Sequence, residues 1–178
     1  MAYFQIEKNP KKKFFDLKVD RAQLKDEDFE QATDALISNA KEYFVFVSQA
    51  IRRNLNQAVY CMFPFLVNCG FACELLLKAL NCMERVDYIK ELHGKDRHSL
   101  YSLYKLLSVK TQEKIVDRFP HRSDKKENFE LCLQENAQVF FELRYSTEYS
   151  ELAGDIYFVP DLMITLFNII QIDRKRED

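Results

Sequence analysis

Glycine and proline are scarce in this chain, which has three glycines and four prolines among its 178 residues. These seven residues make up about 4% of the chain, against an average usage of about 12%. Because Gly and Pro build tight turns and hairpins, their scarcity argues against a β-sandwich, a Gly-rich phosphate-loop enzyme and a disordered linker protein. It favours a few long helices joined by short polar connections.

The composition fits one globular domain with a substantial core. Apolar residues make up 47% of the chain, 15 of them Phe, and the net charge of −2 gives no global preference for polyanions. We expect a cytoplasmic protein that does not enter a membrane, because no secretion signal begins the sequence. The most apolar stretch, residues 63–80, contains Glu74 and Lys78, and it is therefore predicted to be a buried helix.

Apolar residues recur at three- and four-residue steps over most of the chain, which is the pattern of amphipathic helices. The predicted fold is all-α, an antiparallel helical bundle of five to six helices with a short N-terminal extended arm or hairpin. We place the basic arm at residues 1–25, the bundle at 26–172 and a frayed tail at 173–178. The predicted helices span about 26–53, 64–80, 100–107, 111–119 (with Thr111 as N-cap), 124–144 and 160–172.

The central helix carries two charged residues one turn apart. Glu74 stands four residues before Lys78, the favourable order for an ion pair on one helix face. Gly70 lies one turn earlier, where we expect it to allow a close approach between helices.

The five cysteines do not suggest a metal site. A zinc site built on Cys69 and Cys73 with the later histidines is conceivable, but no Cys-x-x-Cys pair exists. The cysteines lie in apolar runs of a chain without an export signal, so we expect buried free thiols, no metal and no disulfides.

Arg144 is the most informative polar residue near the end of the chain. If the predicted helix 124–144 is continuous, Arg144 extends its inward stripe, and a buried guanidinium needs a partner. One interpretation is an internal clamp to Glu148 or Glu74. The other is an arginine that faces an anion, such as a phosphate, in a cleft.

The segments NCGFACELLLKALNC, HSLYSLYKLL and FFELRYSTEY, in this order, resemble the HEPN superfamily of small helical domains. The likeness covers roughly residues 26–172. It implies an antiparallel bundle that dimerises, and many members are metal-independent RNA endonucleases of prokaryotic toxin–antitoxin and phage-defence systems. Their motif is an Arg followed, after four to six residues, by a His.

Arg144 matches the arginine of this motif, but the histidine is missing, since residues 149–151 are Tyr, Ser and Glu. Cleavage through the RNA 2′-OH without a metal needs a proton acceptor and donor that titrates near neutral pH, for which His is the natural group. We therefore expect an HEPN-like interaction or binding module that needs no cofactor. The alternative is an RNA endonuclease that uses Arg144 with Tyr145, Glu148 or Tyr149, and with His98 as a further candidate.

Further binding candidates lie elsewhere in the chain. Lys11, Lys12 and Lys13 precede Phe14 and Phe15, and such a segment either follows a nucleic-acid backbone or packs its Phe pair on the bundle. His98 either completes a turn or helix cap or supplies the missing imidazole. In the binding module, Glu74, Lys78, Arg144 and Glu148 are predicted to form a polar cluster at the bundle centre or in a dimer groove. The expected partners are a second copy of the chain, a protein such as an antitoxin, and RNA or a nucleotide.

Overall fold

The computed structural model describes residues 25–53, 62–120, 128–138 and 157–177. The all-α class is confirmed, since helices dominate these ranges and none of the described residues is in a strand. The elements, in chain order, are α1 (Asp26–Arg53), α2 (Met62–Met83), α3 (Tyr88–Glu91), a 3-10 turn (Gly94–His98), α4 (Leu100–Lys105), α5 (Val109–Arg118), α6 (Phe129–Glu135) and α7 (Phe158–Glu177). The predicted N-terminal arm or hairpin lies outside the described residues, except for Lys25.

Helix α2 is the centre of the bundle, and α1 and α7 both pack against it. Nearly every side chain from Cys69 to Cys82 is buried, because this segment is apolar on almost all faces. The stretch from Pro64 to Met83 is long and apolar enough to cross a membrane by length and composition alone. Its burial inside the bundle is equally typical of a core helix.

Helix α1 runs antiparallel to both of the other long helices, α2 and α7. Tyr43 of α1 packs edge-on against Phe71 of α2, while the start of α1 reaches Arg85, just beyond the end of α2. Phe44 of α1 stacks on Phe167 of α7, with ring centroids 4.4 Å apart. These contacts fix the direction of α1 relative to α2 and hold the α1–α7 edge together.

Helix α2 ends in a Schellman motif with an arginine at the left-handed position. Arg85 has φ +60°, and the backbone N–H groups of Arg85 and Val86 donate to the carbonyls of Cys82 and Asn81. Glycine is the usual residue at this position, because a side chain is strained there. The Arg85 guanidinium compensates by pairing with Asp26 at 3.1 Å and with Glu30 at 3.2 Å, both on α1.

The connection between α2 and α4 contains more helix than predicted. Asp87 accepts hydrogen bonds from the N–H groups of Ile89 and Lys90 and so caps the single turn α3. This polar stretch is too short to show a helical period, so the sequence predicts no helix between residues 80 and 100. The cap, rather than an apolar stripe, explains why the turn forms.

The prediction that Thr111 caps the following helix is wrong. Ser108 is the N-cap of α5, and its hydroxyl accepts from the N–H of Thr111 at 3.4 Å. The Glu84 carboxylate explains the earlier start, because it accepts from the N–H and hydroxyl of Ser108 and from the hydroxyl of Thr111. These bonds join the end of α2 to the start of α5.

Helix α6 is shorter than predicted. The prediction of a single helix over residues 124–144 is wrong. The helix ends at Glu135, and the Asn136 side chain donates back to the carbonyl of Cys132. The carbonyl of Ala137 then accepts from the N–H of Leu100, so the backbone after Glu135 is held by α4 instead of continuing the helix. The inward stripe that starts at Phe129 therefore cannot be extended by helical periodicity to Arg144.

Four aromatic side chains form the second half of the core. The Phe129 ring lies 5.2 Å from Phe119, 5.6 Å from Phe158 and 5.6 Å from Tyr104, between ring centroids. The cluster joins α4, α6 and α7 to the residue that ends α5. Phe129 and Leu133 are both buried.

The last helix extends beyond the predicted range at both ends. Residues 173–178, predicted to be a frayed tail, are helical as far as Glu177. Asp173 pairs with Lys114 of α5, and Arg174 pairs with Asp34 of α1. These two ion pairs explain why the end of α7 stays on the bundle.

Candidate functional site

A buried polar cluster forms on α2 and on the 3-10 turn. It contains Glu74 and Lys78 of the predicted cluster together with His98, whereas Arg144 and Glu148 lie outside the described residues. Glu74 and Lys78 point the same way because they are one helical turn apart, and Lys78 Nζ lies 2.6 Å from Glu74 Oε1. Only 1% of Glu74 and 8% of Lys78 is exposed. The pair predicted from its spacing therefore exists, and it lies in the core, as the apolar surroundings of this helix predict.

His98 is the third member of this cluster. Its Nδ1 lies 2.9 Å from the same Glu74 Oε1, while 41% of the His98 side chain is exposed. The turn that presents it is anchored by Arg97, whose guanidinium donates to the carbonyls of Ile89 and Leu92 at 2.7 Å. Nδ1–H donates to the carboxylate, which fixes the orientation of the imidazole.

One carboxylate oxygen thus receives both donors. Glu74 Oε2 is buried and has no hydrogen-bond partner among the described residues. The Lys78 ammonium also lies 5.3 Å from the centre of the Tyr88 ring, within the range of a cation–π contact. The positive charge therefore has two partners in a nearly dry environment, and the cluster links α2, α3 and the 3-10 turn.

Asn81 extends this polar face of α2 by one turn and was not predicted as a site residue. Its amide donates to the carbonyl of Leu77 at 2.8 Å and to the carbonyl of Leu103 on α4 at 3.0 Å. An asparagine inside an apolar helix was the sequence signal, since a buried amide needs partners. Tyr88 was also missed, because its contact with Lys78 depends on the fold and not on spacing along the chain.

Three thiols are buried as predicted, those of Cys69, Cys73 and Cys82. Cys132 on α6 is only partly buried, contrary to the prediction, and Cys61 lies outside the described residues. Burial raises the pKa of Cys69 to about 12 and that of Cys82 to about 11, and it raises the pKa of Cys73 well above its ordinary value. Such thiols stay protonated and are poor nucleophiles and metal ligands. Among the residues that the structure describes, no group of three or more His, Cys, Asp or Glu side chains is placed to hold a metal ion.

The remaining predicted site residues lie outside the described part of the chain. They are the four candidates of the RYSTEY segment, Arg144, Tyr145, Glu148 and Tyr149, and the three candidates of the basic arm, Lys11, Lys12 and Lys13. The structure therefore brings together Glu74, Lys78 and His98 and does not describe the other seven.

Compared with family models, with curated proteins and with solved structures, the chain matches none.

Proposed function

We propose that this chain is an HEPN-like helical interaction module that binds its partners without cleaving them. In this proposal it acts in the cytoplasm as a homodimer, in a prokaryotic defence or toxin–antitoxin setting. The observation that carries the proposal is that Lys78 and His98, both from this bundle, are the partners of the buried Glu74 carboxylate. A carboxylate whose donors come from its own bundle already has a structural task.

The energetics of burial support this interpretation. A buried charge without a partner is very costly, and Glu74 and Lys78 satisfy this requirement for each other at 2.6 Å. The pair therefore needs no substrate to explain its presence. The RYSTEY segment supplies no histidine after Arg144 either, so the usual proton-transfer group of the resembled nucleases is missing.

In the binding role, the cationic residues outside the cluster contact the ligand. Lys11, Lys12 and Lys13 are three consecutive cations, and Arg144 offers the planar fork that matches a phosphate. RNA or a nucleotide is the ligand that this chemistry fits. A protein such as an antitoxin remains the alternative partner.

A second function, RNA cleavage, is favoured by one observation. Nδ1 of the half-exposed His98 lies 2.9 Å from a buried carboxylate, and a carboxylate that orients an imidazole is how many enzymes fix a general base. In this alternative, His98 transfers the proton. Arg144 then binds the phosphate with help from Tyr145, Glu148 and Tyr149.

One assay with labelled single-stranded RNA in EDTA separates these two functions. The module should bind RNA and leave it intact. Replacement of Lys11, Lys12 and Lys13 by alanine should weaken binding and lower the salt dependence of log K by about 2, since each phosphate contact on a single strand contributes about 0.7. Arg118→Ala, an exposed arginine at the end of α5, is the matched control.

Cleavage by the wild type that disappears in folded His98→Gln or Arg144→Ala protein would overturn the proposal in favour of the nuclease. Intact RNA with binding that the Lys11–Lys13 change does not weaken would refute the basic arm as the contact. The far-UV circular dichroism of each variant shows whether it is folded.

A further inference from the structure

The outward face of α7 carries a row of six residues at heptad spacing, most of them polar, that the bundle core does not use. Tyr157 and then Asp161, Ile164, Asn168, Gln171 and Lys175 follow one another at alternating steps of four and three. This is the spacing of a coiled-coil seam. The opposite side of the helix, with Leu162, Leu166 and Ile169, is buried in the core. The seam is open, since Tyr157 is 59% and Ile164 is 39% exposed, and Asn168 and Lys175 are exposed as well.

The charges on α7 divide into two groups. Asp173 and Arg174 are paired within the chain, with Lys114 and Asp34. Asp161 and Lys175, both on the seam, form no ion pair with any residue that the structure describes. They lie seven positions before and seven after Asn168, so each is about 10 Å along the helix from it at 1.5 Å per residue.

We propose that this face binds the same face of a second copy of the chain, with the two α7 helices antiparallel across a two-fold axis at Asn168. In this arrangement Asp161 of each copy faces Lys175 of the partner subunit. The proposal rests on the homodimer of the proposed function and assigns it a surface. A two-fold axis makes the contact self-complementary and closed.

The charge pattern selects the antiparallel arrangement. Parallel helices would bring Asp161 against Asp161 and Lys175 against Lys175, two like-charge contacts. Antiparallel helices replace both with opposite-charge contacts. They also bring Ile164 opposite Ile172 of the partner subunit and place the two Asn168 amides together on the axis, where polar residues set register.

Packing within the chain holds the outward face of α7 in a fixed position on the bundle. The stacking of Phe44 on Phe167 holds α1 beside the seam, and the ion pair of Arg174 with Asp34 holds its far end. A contact between one helix and its copy buries less than the roughly 800 Å² per partner of a stable complex. The dimer should therefore dissociate measurably on dilution.

Sedimentation equilibrium of the full chain over a range of concentrations, with a set of charge variants, tests the proposal. Asp161→Lys and Lys175→Asp should each weaken dimerisation about tenfold, because each change acts twice across the two-fold axis. The combined variant should return to within about threefold of the wild type. Glu113→Lys, an exposed residue on α5, should leave the dimer unchanged.

A cysteine at position 168 gives an independent readout. Asn168→Cys should form a disulfide-linked dimer on mild oxidation, whereas Gln49→Cys, on an exposed position of α1, should not. If Asp161 and Lys175 only complement the α7 dipole, their variants lose thermal stability without a change in mass, and that result overturns the proposal.

The outcomes separate this surface from the dimer itself. A dimer that tolerates both single charge changes refutes the α7 surface and leaves the homodimer standing. A chain that is monomeric at all concentrations refutes both.

Discussion

The amide of Asn81 should be one of the most valuable single polar groups in the bundle. It donates to the carbonyl of Leu103 on α4, which is one of the last carbonyls of that helix and so lacks a donor within it. Asn81→Ala removes this donor and leaves a buried carbonyl unsatisfied, at a cost of about 1–3 kcal/mol. The orphaned Asn81 Oδ1 disappears in the same change and offsets part of that cost. We expect a net loss of about 2 kcal/mol in the free energy of unfolding.

Asn136 provides a matched control. It is also a buried asparagine, but among the described residues its amide donates only to the carbonyl of Cys132 in its own helix, and the backbone N–H of Asn136 already donates to that carbonyl. Asn136→Ala therefore orphans nothing and should cost about 0.5–1 kcal/mol, the net value of one hydrogen bond.

Urea unfolding followed by far-UV circular dichroism measures both variants. With a slope of about 2 kcal/mol per molar urea for a chain of this size, Asn81→Ala should lower the midpoint by about 1 M. Asn81→Asp should cost more than the alanine change, because a carboxylate cannot donate to Leu103, and it should recover partly in acid. A loss for Asn81→Ala no larger than that for Asn136→Ala would refute the reasoning.

Three further predictions follow from the packing and the titration of buried groups. Arg85→Gly relieves the backbone strain at the left-handed position and removes the ion pairs with α1. Relief of the strain stabilises by about 1–2 kcal/mol, whereas loss of the exposed ion pairs costs about 0–1 kcal/mol. The variant should therefore be at least as stable as the wild type in urea unfolding. Phe129→Ala should cost about 3–5 kcal/mol by opening a cavity in the aromatic cluster, and a thermal melt that shifts by less than that of Leu131→Ala on the exposed side of α6 would contradict it. Burial raises the pKa of Cys69 to about 12 and also raises the pKa values of Cys73 and Cys82, so above pH 9.0, the ordinary pKa of Cys, the folded chain binds more protons than the unfolded chain. The free energy of unfolding should therefore fall from about pH 9 upward, by up to about 1.4 kcal/mol per pH unit for each thiol. Cys73→Ala should make this fall less steep in urea titrations at pH 8–11.

Local patterns in the sequence were sufficient to predict the positions of the long helices. The stripe from Phe29 to Ile51 predicts α1 at Asp26–Arg53, the range that forms, and the apolar run after Pro64 predicts the core helix. The Glu74–Lys78 pair was predictable from its spacing alone. Burial of the pair followed from the apolar surroundings on the same helix.

What the sequence could not provide depends on contacts between distant residues. The end of α6 at Glu135 is stabilised by a bond from Leu100 to Ala137, which a local stripe cannot reveal. The start of α5 depends on Glu84, 24 residues before Ser108. The pairing of His98 with Glu74, also 24 residues apart, needed the whole connector between α2 and α4 to be placed first.

Within the polar cluster on α2, Glu74 and Lys78 each compensate the buried charge of the other, so neither can be removed alone without a large loss of stability. A double-mutant cycle in the free energy of unfolding with Glu74→Leu and Lys78→Met tests this claim most directly. Each single change leaves a buried charge without its partner and should cost about 3–5 kcal/mol, whereas the combined change should cost less than either. Single changes that each cost under about 1 kcal/mol, with no coupling between them, would contradict the claim.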